Sequence, residues 1–230
     1  MLGGKNRAIS RLSALMTEKS LEKLKFENEY KAKGFNLIAG ADEVGRGPLA
    51  GPVVCCAVIM PLDDDSIIEG VDDSKKLSAK KRERLAEEIL ARAVAVKICR
   101  KEPKEIDEIN ILEATKRCMA DCVNGLSVKP DVLFADALNI KTDVPCVPIV
   151  HGDALSYSIG CASIVAKVFR DKLMDEYAEK YSAYLFEKNK GYGTAAHIKA
   201  IKEIGPCELH RRSFIKNFWA EAAKSEPKNS

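Results

Sequence analysis

No stretch of this 230-residue chain stays apolar over the length that a membrane span needs, and its first residues lack the apolar block of a secretory leader. A cytoplasmic protein with no membrane partner is the expectation. Disulfide spacing is missing too. Eight cysteines are present, yet no Cys-x-x-Cys pair occurs. Cys55 and Cys56 are adjacent within a strand-like run, and Cys118 and Cys122 sit at helical spacing on an apolar stripe. A disulfide framework and a zinc finger are thereby set aside, and buried free thiols in a reducing compartment are expected. Aromatic residues are sparse at 6%, and neither sign of charge prevails: Lys+Arg number 37 against Asp+Glu 34, a net charge of +3. That balance excludes a basic surface over the whole molecule, so any contact with nucleic acid must be local. No internal repeat or low-complexity tract is visible apart from a polar tail after Ala223.

What is present is enough to build a core. Hydrophobic residues make up 46% and charged residues 31%, the balance of a globular protein, and the length fits one ordinary domain or a core domain with an appendage. Residues 10–33 read as an amphipathic helix carrying Leu12, Leu15, Leu21, Leu24 and Phe26, either packed on the main body or free to bind a partner. A strand over 36–41 follows, then an apolar run over 53–60. Ser78 is placed to cap a helix over 79–91. A strand over 94–99, a helix over 110–126, and strands over 132–135 and 147–150 come next. A long helix over 155–181 carries the small residues Ser158, Gly160, Ala162 and Ser163, which permit close packing on a sheet. Strands first, then strand–helix alternation, predict a mixed-sheet α/β domain.

The chemistry concentrates in Ala39-Gly40-Ala41-Asp42-Glu43-Val44-Gly45-Arg46-Gly47-Pro48-Leu49-Ala50-Gly51-Pro52-Val53. Two adjacent carboxylates repel each other and lose hydration in a packed fold, so they call for a partner, and a divalent cation is the most direct one. Glycines beside such a site let backbone N–H groups approach an anionic oxygen. Asp42, Glu43, Asp136 and Asp153 each fall where an apolar strand run ends, and strand ends are where α/β sheets bind ligands. Hard carboxylate oxygens suit Mg²⁺ or Mn²⁺, two of which together support in-line phosphoryl displacement. Read singly, Asp136 is a strand-end turn, Asp153 a helix cap and Gly45-Arg46-Gly47 a solvated loop. Because neighbours on a strand point to opposite faces, Asp42 and Glu43 cannot both enter one pocket unless the strand bends there or one offers its carbonyl. Between residues 180 and 217, eight Lys/Arg stand against three Glu, with Tyr181, Tyr184, Tyr192 and Phe214 interleaved and Phe218 just beyond. This segment is either a solvated helix face with core anchors or a surface that holds phosphates and stacks sugars.

Taken together, these blocks resemble the type 2 ribonucleases H (ribonuclease HII). The resemblance covers about 37–213: the segment quoted above, Asp73-Ser74-Lys75-Lys76-Leu77-Ser78, Leu133-Phe134-Ala135-Asp136, Gly152-Asp153, Ala162 to Asp171, Lys190-Gly191-Tyr192-Gly193 to His197, and His210-Arg211-Arg212-Ser213-Phe214. It implies a ribonuclease H-like fold, a mixed central sheet flanked by helices, with a small helical C-terminal part; with the N-terminal helix read above, the expected division is a helical extension over 1–34, a catalytic domain over 35–185 and a helical C-terminal part over 186–230. The implied activity is cutting the RNA strand of RNA–DNA hybrids, and duplex DNA 5′ of embedded ribonucleotides, leaving a 3′-hydroxyl and a 5′-phosphate. A monomer is expected. The family's catalytic, metal-holding carboxylates fall on Asp42, Glu43, Asp136 and Asp153, serving two Mg²⁺ or Mn²⁺ ions. Its junction-reading turn falls on Gly45, Arg46 and Gly47, and its sugar-stacking tyrosine on Tyr192. Ser74 and Lys75 are expected to grip the backbone near the site. Lys167, Arg170 and Asp171 read as braces of their own helix, and His197 and His210 as structural. Ala137 stands where the family commonly has glycine. The alternative is a hybrid-binding module that has lost catalysis.

Overall fold

The structure, a computed structural model, describes residues 17–224. Two short helices open it, α1 (Glu18–Lys23), capped by Thr17, and α2 (Lys25–Ala32). The expected helix is thus divided at Leu24, and its residues 10–16 lie outside the described residues. Leu24 is buried, and Phe26 and Tyr30 meet the ring of Phe134 edge-on, so these helices pack against the body.

Five strands form one sheet: β1 (Ile38–Val44), β2 (Val53–Ile59), β3 (Ala95–Lys101), β4 (Val132–Asp136) and β5 (Cys146–Ile149), in the spatial order β3-β2-β1-β4-β5. β1 runs antiparallel to β2 and parallel to β4, which makes the sheet mixed as expected. Every residue of β2 is buried, because helices cover both faces of this inner strand. On one face, Cys56 and Val58 pack under α3 (Ala79–Arg92) and α7 (Tyr157–Lys180). On the other, Ala39, Ala41, Cys55 and Ala57 meet Cys118, Met119 and Cys122 of α5 (Ile111–Asn124). Ser78 caps α3 as predicted, accepting from Lys81 N–H at 3.3 Å.

The small residues at the start of α7 let it lie directly on β1. A Cβ on Gly40 would sit 2.1 Å from the Ser158 carbonyl carbon, inside any van der Waals contact. One helix was missed: α4 (Pro103–Ile109), which begins with Pro at its first turn and a Glu102/Glu105 capping box. Another, the single turn α6 (Gly152–Leu155), precedes α7. The second half of α7 joins α8 (Phe186–Asn189), α9 (Ala195–Ile204) and α10 (Arg212–Lys224) around Met174, Tyr184, Phe186, Ile201 and Ile215. All eight cysteines are free. Among the described residues, no helix is long and apolar enough to cross a membrane.

Candidate active site

β1 does not stop before its charged pair. Asp42 and Glu43 lie within the strand, opposite Cys56 and Cys55 of β2, and the ladder continues to Val44. The expectation that the strand ends at residue 41, before the pair, is therefore corrected. Burial by α7 lets a strand hold a carboxylate that local pattern alone marks as its end. The pleat sends the two side chains to opposite faces. Asp42, 5% exposed, lies on the α7 side near Ser163, while Glu43 reaches toward Arg46, Oε1 lying 3.5 Å from Nη1.

The parallel pairing of Ala41 with Ala135 brings Asp136 to the same end of the neighbouring strand. Asp136 pairs in turn with Ile149 of β5, after which His151, in left-handed backbone (φ 57°), turns the chain into α6 with its buried Asp153. The Gly152 N–H donates to Asp136 Oδ1 at 2.7 Å, tying the third carboxylate to the residue before the fourth. Four acidic groups from three separate stretches of the chain thus lie at one end of the sheet.

They share one electrostatic field. Burial raises the Asp42 carboxyl well above its ordinary range and Glu43 adds to this; the Ser163 hydrogen bond opposes the rise, and Asp136 adds again. Glu43 is raised by burial, against the attraction of Arg46, with Asp136 adding. Asp136 is raised by burial, against the Gly152 N–H, and Asp153 raises it further. Burial works to lower Lys75, yet the charges of Asp153, Asp42, Asp73 and Asp136 outweigh it and hold the ammonium above its usual value. Carboxylates whose charged forms are disfavoured by burial and by one another are those that a cation would relieve. Glu43 Oε2 is moreover buried without a hydrogen-bond partner among the described residues. Hard oxygens of this kind fit Mg²⁺ or Mn²⁺. Among the described residues, however, no three acidic, histidine or cysteine side chains stand close enough to grip an ion as they are. The constellation is looser than a finished ligand set.

The glycine turn follows directly. Gly45 has φ +90° and no room for a side chain, since a Cβ would lie 2.2 Å from Arg170 Nε. Gly47 opens instead toward Tyr192, whose Cε1 would be 3.7 Å from a Cβ there, and Tyr192 is 44% exposed. Turn and tyrosine, 145 positions apart by their residue numbers, are therefore brought together. Ser74, by contrast, is buried with its hydroxyl 3.0 Å from Ser163 Oγ, while Lys75 beside it is exposed. Tyr184 is a core residue stacked on Phe186.

The family model for ribonuclease HII matches residues 39–221, and the ribonuclease HII of Bacillus thuringiensis (strain Al Hakam) is 53% identical over 197 residues, 86% of this chain and 76% of that protein. The chain belongs to the ribonuclease HII family. Its fold matches the crystal structure of the ribonuclease H2 from Pyrococcus horikoshii OT3 with a TM-score of 0.68 at 26% identity, covering 82% of this chain and 99% of that one. A chain of the PCNA:RNase HII complex from Archaeoglobus fulgidus matches with a TM-score of 0.67 at 28% identity, over 79% and 96% of the two chains. Membership makes the protein a nuclease with the ribonuclease H-like fold. Ala137, at the position where the resemblance leads one to expect glycine, occupies the left-handed region (φ 52°), which glycine adopts without strain.

Two arginines had no functional reading in the sequence. Arg170 does not brace its own helix. Wholly buried, it donates to the carbonyls of Pro52 (3.0 Å), Lys190 (2.9 Å) and Ala50 (3.2 Å). Arg211, equally buried, donates to Gly45 (2.6 Å), Arg46 (2.9 Å) and Gly51 (3.0 and 2.8 Å). Burial lowers Arg170 to about 10; burial and then repulsion from Arg170 lower Arg211 to about 9. Both stay charged at neutral pH, and together they fix the turn that carries Arg46. Only Lys167 and Asp171 behave as expected, paired at 2.7 Å along α7.

Proposed function

We propose that this ribonuclease HII cuts the RNA strand of RNA–DNA hybrids, and duplex DNA on the 5′ side of an embedded ribonucleotide, leaving a 3′-hydroxyl and a 5′-phosphate. The observation that carries the reading is the adjacency of the acidic strand end, the Gly45-Arg46-Gly47 turn and Tyr192. Asp42, Glu43, Asp136 and Asp153 are the residues that would hold divalent cations, Mg²⁺ or Mn²⁺ and two in number. Such ions, when bound, supply an activated water and a charge that stabilises the departing oxygen.

The remaining work falls to the chain. The 2′-hydroxyl is the one group that marks a ribonucleotide, so its reader needs polar groups within close reach. Gly47, exposed, leaves the turn's backbone bare for that contact, while the buried Gly45 gives the turn its shape and makes room for Arg170. Arg46, half exposed beside Glu43, is placed to hold a phosphate. The Tyr192 ring, against Gly47, offers a face to the next sugar, where a second 2′-hydroxyl would clash. Lys75 lies in the field of three site carboxylates and is suited to bind the backbone or to neutralise the cluster before substrate arrives. The buried Ser74 accepts from Ser163, the residue of α7 that lies beside Asp42.

The test is a labelled duplex containing one ribonucleotide, incubated with Mg²⁺ or Mn²⁺ beside the all-deoxy duplex. Cleavage of the first alone, 5′ of the ribonucleotide, is expected, and Asp42→Asn or Asp136→Asn should abolish it while the duplex is still bound. Binding with no product from the unaltered protein would instead identify a non-catalytic hybrid-binding module.

A further inference from the structure

The helices that precede the sheet place two charged side chains where few chains put any. Lys23, 4% exposed, reaches from α1 to donate to the backbone carbonyl of Asp153 at 3.0 Å, and its Nζ lies 3.6 Å from Asp72. Glu27 of α2 is fully buried, and its Oε1 accepts from the Ser156 hydroxyl at 2.6 Å and from the Ser158 N–H at 2.9 Å. These contacts bracket the segment that presents Asp153. We propose that Lys23 and Glu27 are positioning residues that set the place of the Asp153 carboxylate; the inference rests on the role proposed above for Asp153.

That segment can do little to hold itself in place. α6 is a single turn, far below the length at which a helix is stable alone. His151, in left-handed backbone at its start, provides no side-chain cap. Its entry is fixed by Asp136, which accepts from Gly152 N–H, and its exit by Ser156, which caps α7 through Ile159 N–H at 3.3 Å. Glu27 fixes Ser156 in turn and brings a carboxylate to the positive end of the 24-residue α7. Lys23 fixes the carbonyl between those ends. Gly160 provides the room, since a Cβ there would lie 3.2 Å from the Asp153 carbonyl oxygen and 3.8 Å from Lys23 Nζ.

An apolar seam would dock these helices at lower cost, because taking an ammonium and a carboxylate out of water is unfavourable even when they are bonded. The arrangement carries further cost in Glu27 Oε2 and Ser158 Oγ, both buried without a hydrogen-bond partner among the described residues. What the polar contacts add over an apolar seam is direction. Outer groups that orient a ligating carboxylate act in this way on metal affinity and rate.

Full-length variants test this on a single-ribonucleotide duplex, together with calorimetric titration of Mn²⁺ into the protein alone. Lys23→Met should lower kcat roughly ten- to hundredfold and weaken Mn²⁺ binding, with KM little changed. Lys23→Arg, which keeps a donor, should restore most of both. Lys31→Met removes a bond from α2 to the Leu62 carbonyl (2.8 Å) that does not touch the Asp153 segment, and should lower Tm alone. If Lys23→Met does not fold, Lys23→Gln, whose amide is too short to reach, should show the same deficits. Wild-type kcat and Mn²⁺ affinity in Lys23→Met or Lys23→Gln, with only Tm reduced, would overturn the proposal and leave a structural brace. Should the unaltered protein cut nothing, the proposed function fails, and the Mn²⁺ titration still decides the positioning role.

Discussion

Acid should loosen the C-terminal helices through one pair of histidines. His197 Nδ1 lies 2.9 Å from the Tyr192 carbonyl, which can only accept, so that nitrogen carries the proton. Its Nε2 then accepts from His210 Nε2–H at 3.0 Å, and His210 Nδ1 accepts from the Cys207 N–H at 3.0 Å. Both rings are neutral, and the chain of bonds has no place for a further proton. Burial and the neighbouring His197 depress His210 from 6.5 to about 4. A group depressed in the fold contributes stability that is complete above its unfolded value of 6.5 and is lost as the pH falls through that window to about 4. Between pH 8 and pH 5 the loss is about 2 kcal/mol from His210 alone. Asp42, Glu43 and Asp136 are raised, so their contribution has the opposite sign over acidic pH. It cancels in the difference between the wild type and His210→Gln. Urea titrations followed by Trp219, the one tryptophan and a neighbour of this cluster, give that difference at each pH. It should shrink by about 2 kcal/mol from pH 8 to pH 5. A difference that stays constant would refute the neutral-pair reasoning.

Three further outcomes follow from the packing and the charges. Gly40→Ala should cost roughly 3 kcal/mol or more, because the new methyl meets the backbone of α7 and the helix must lift from the sheet; a denaturation midpoint near that of the wild type would contradict the contact. Arg211→Met strands the carbonyls of Gly45, Arg46 and Gly51, at about 1–3 kcal/mol for each buried group left without a donor. It should also blunt the preference for a single ribonucleotide, which parallel assays on hybrid and mixed duplexes would show. Asp42→Asn removes a buried charge whose pKa is raised, so without divalent ions it should raise Tm at pH 8, and it should abolish any rise in Tm on adding Mn²⁺. Thermal melts with EDTA and with Mn²⁺ read both effects.

Much of this architecture was legible in the residues because β-sheet cores leave continuous apolar runs. β2 and β4 appeared almost at their true limits, and Ser78 marked the start of α3. β1 was cut short because a pair of carboxylates looks like an ending, and nothing local shows that α7 will cover Asp42. α4 was hidden by its charged sequence, though Glu102, Pro103 and Glu105 form the capping signal that could have revealed it. The acidic residues and the glycine turn stood out as chemistry that a core has no use for. Arg170, Arg211, Lys23 and Glu27 did not. Their roles depend on carbonyls and hydroxyls supplied from far along the chain, and charged residues in charged helices carry no local sign that they are buried. Ser74 was expected at the nucleic acid, yet its side chain turns inward to Ser163.

The clamp by Arg211 and the short bridge between Ala50 and His210 carry a consequence for how the protein is made. A ribosome releases the acidic strand early, but the residues that shape the neighbouring turn emerge some 165 positions later. A chain that has emerged only as far as residue 200 thus holds Asp42, Glu43, Asp136 and Asp153 without the arginine that fixes the glycine turn beside them. Any shortened form that stops before Arg211 therefore lacks the clamp on Gly45, Arg46 and Gly51.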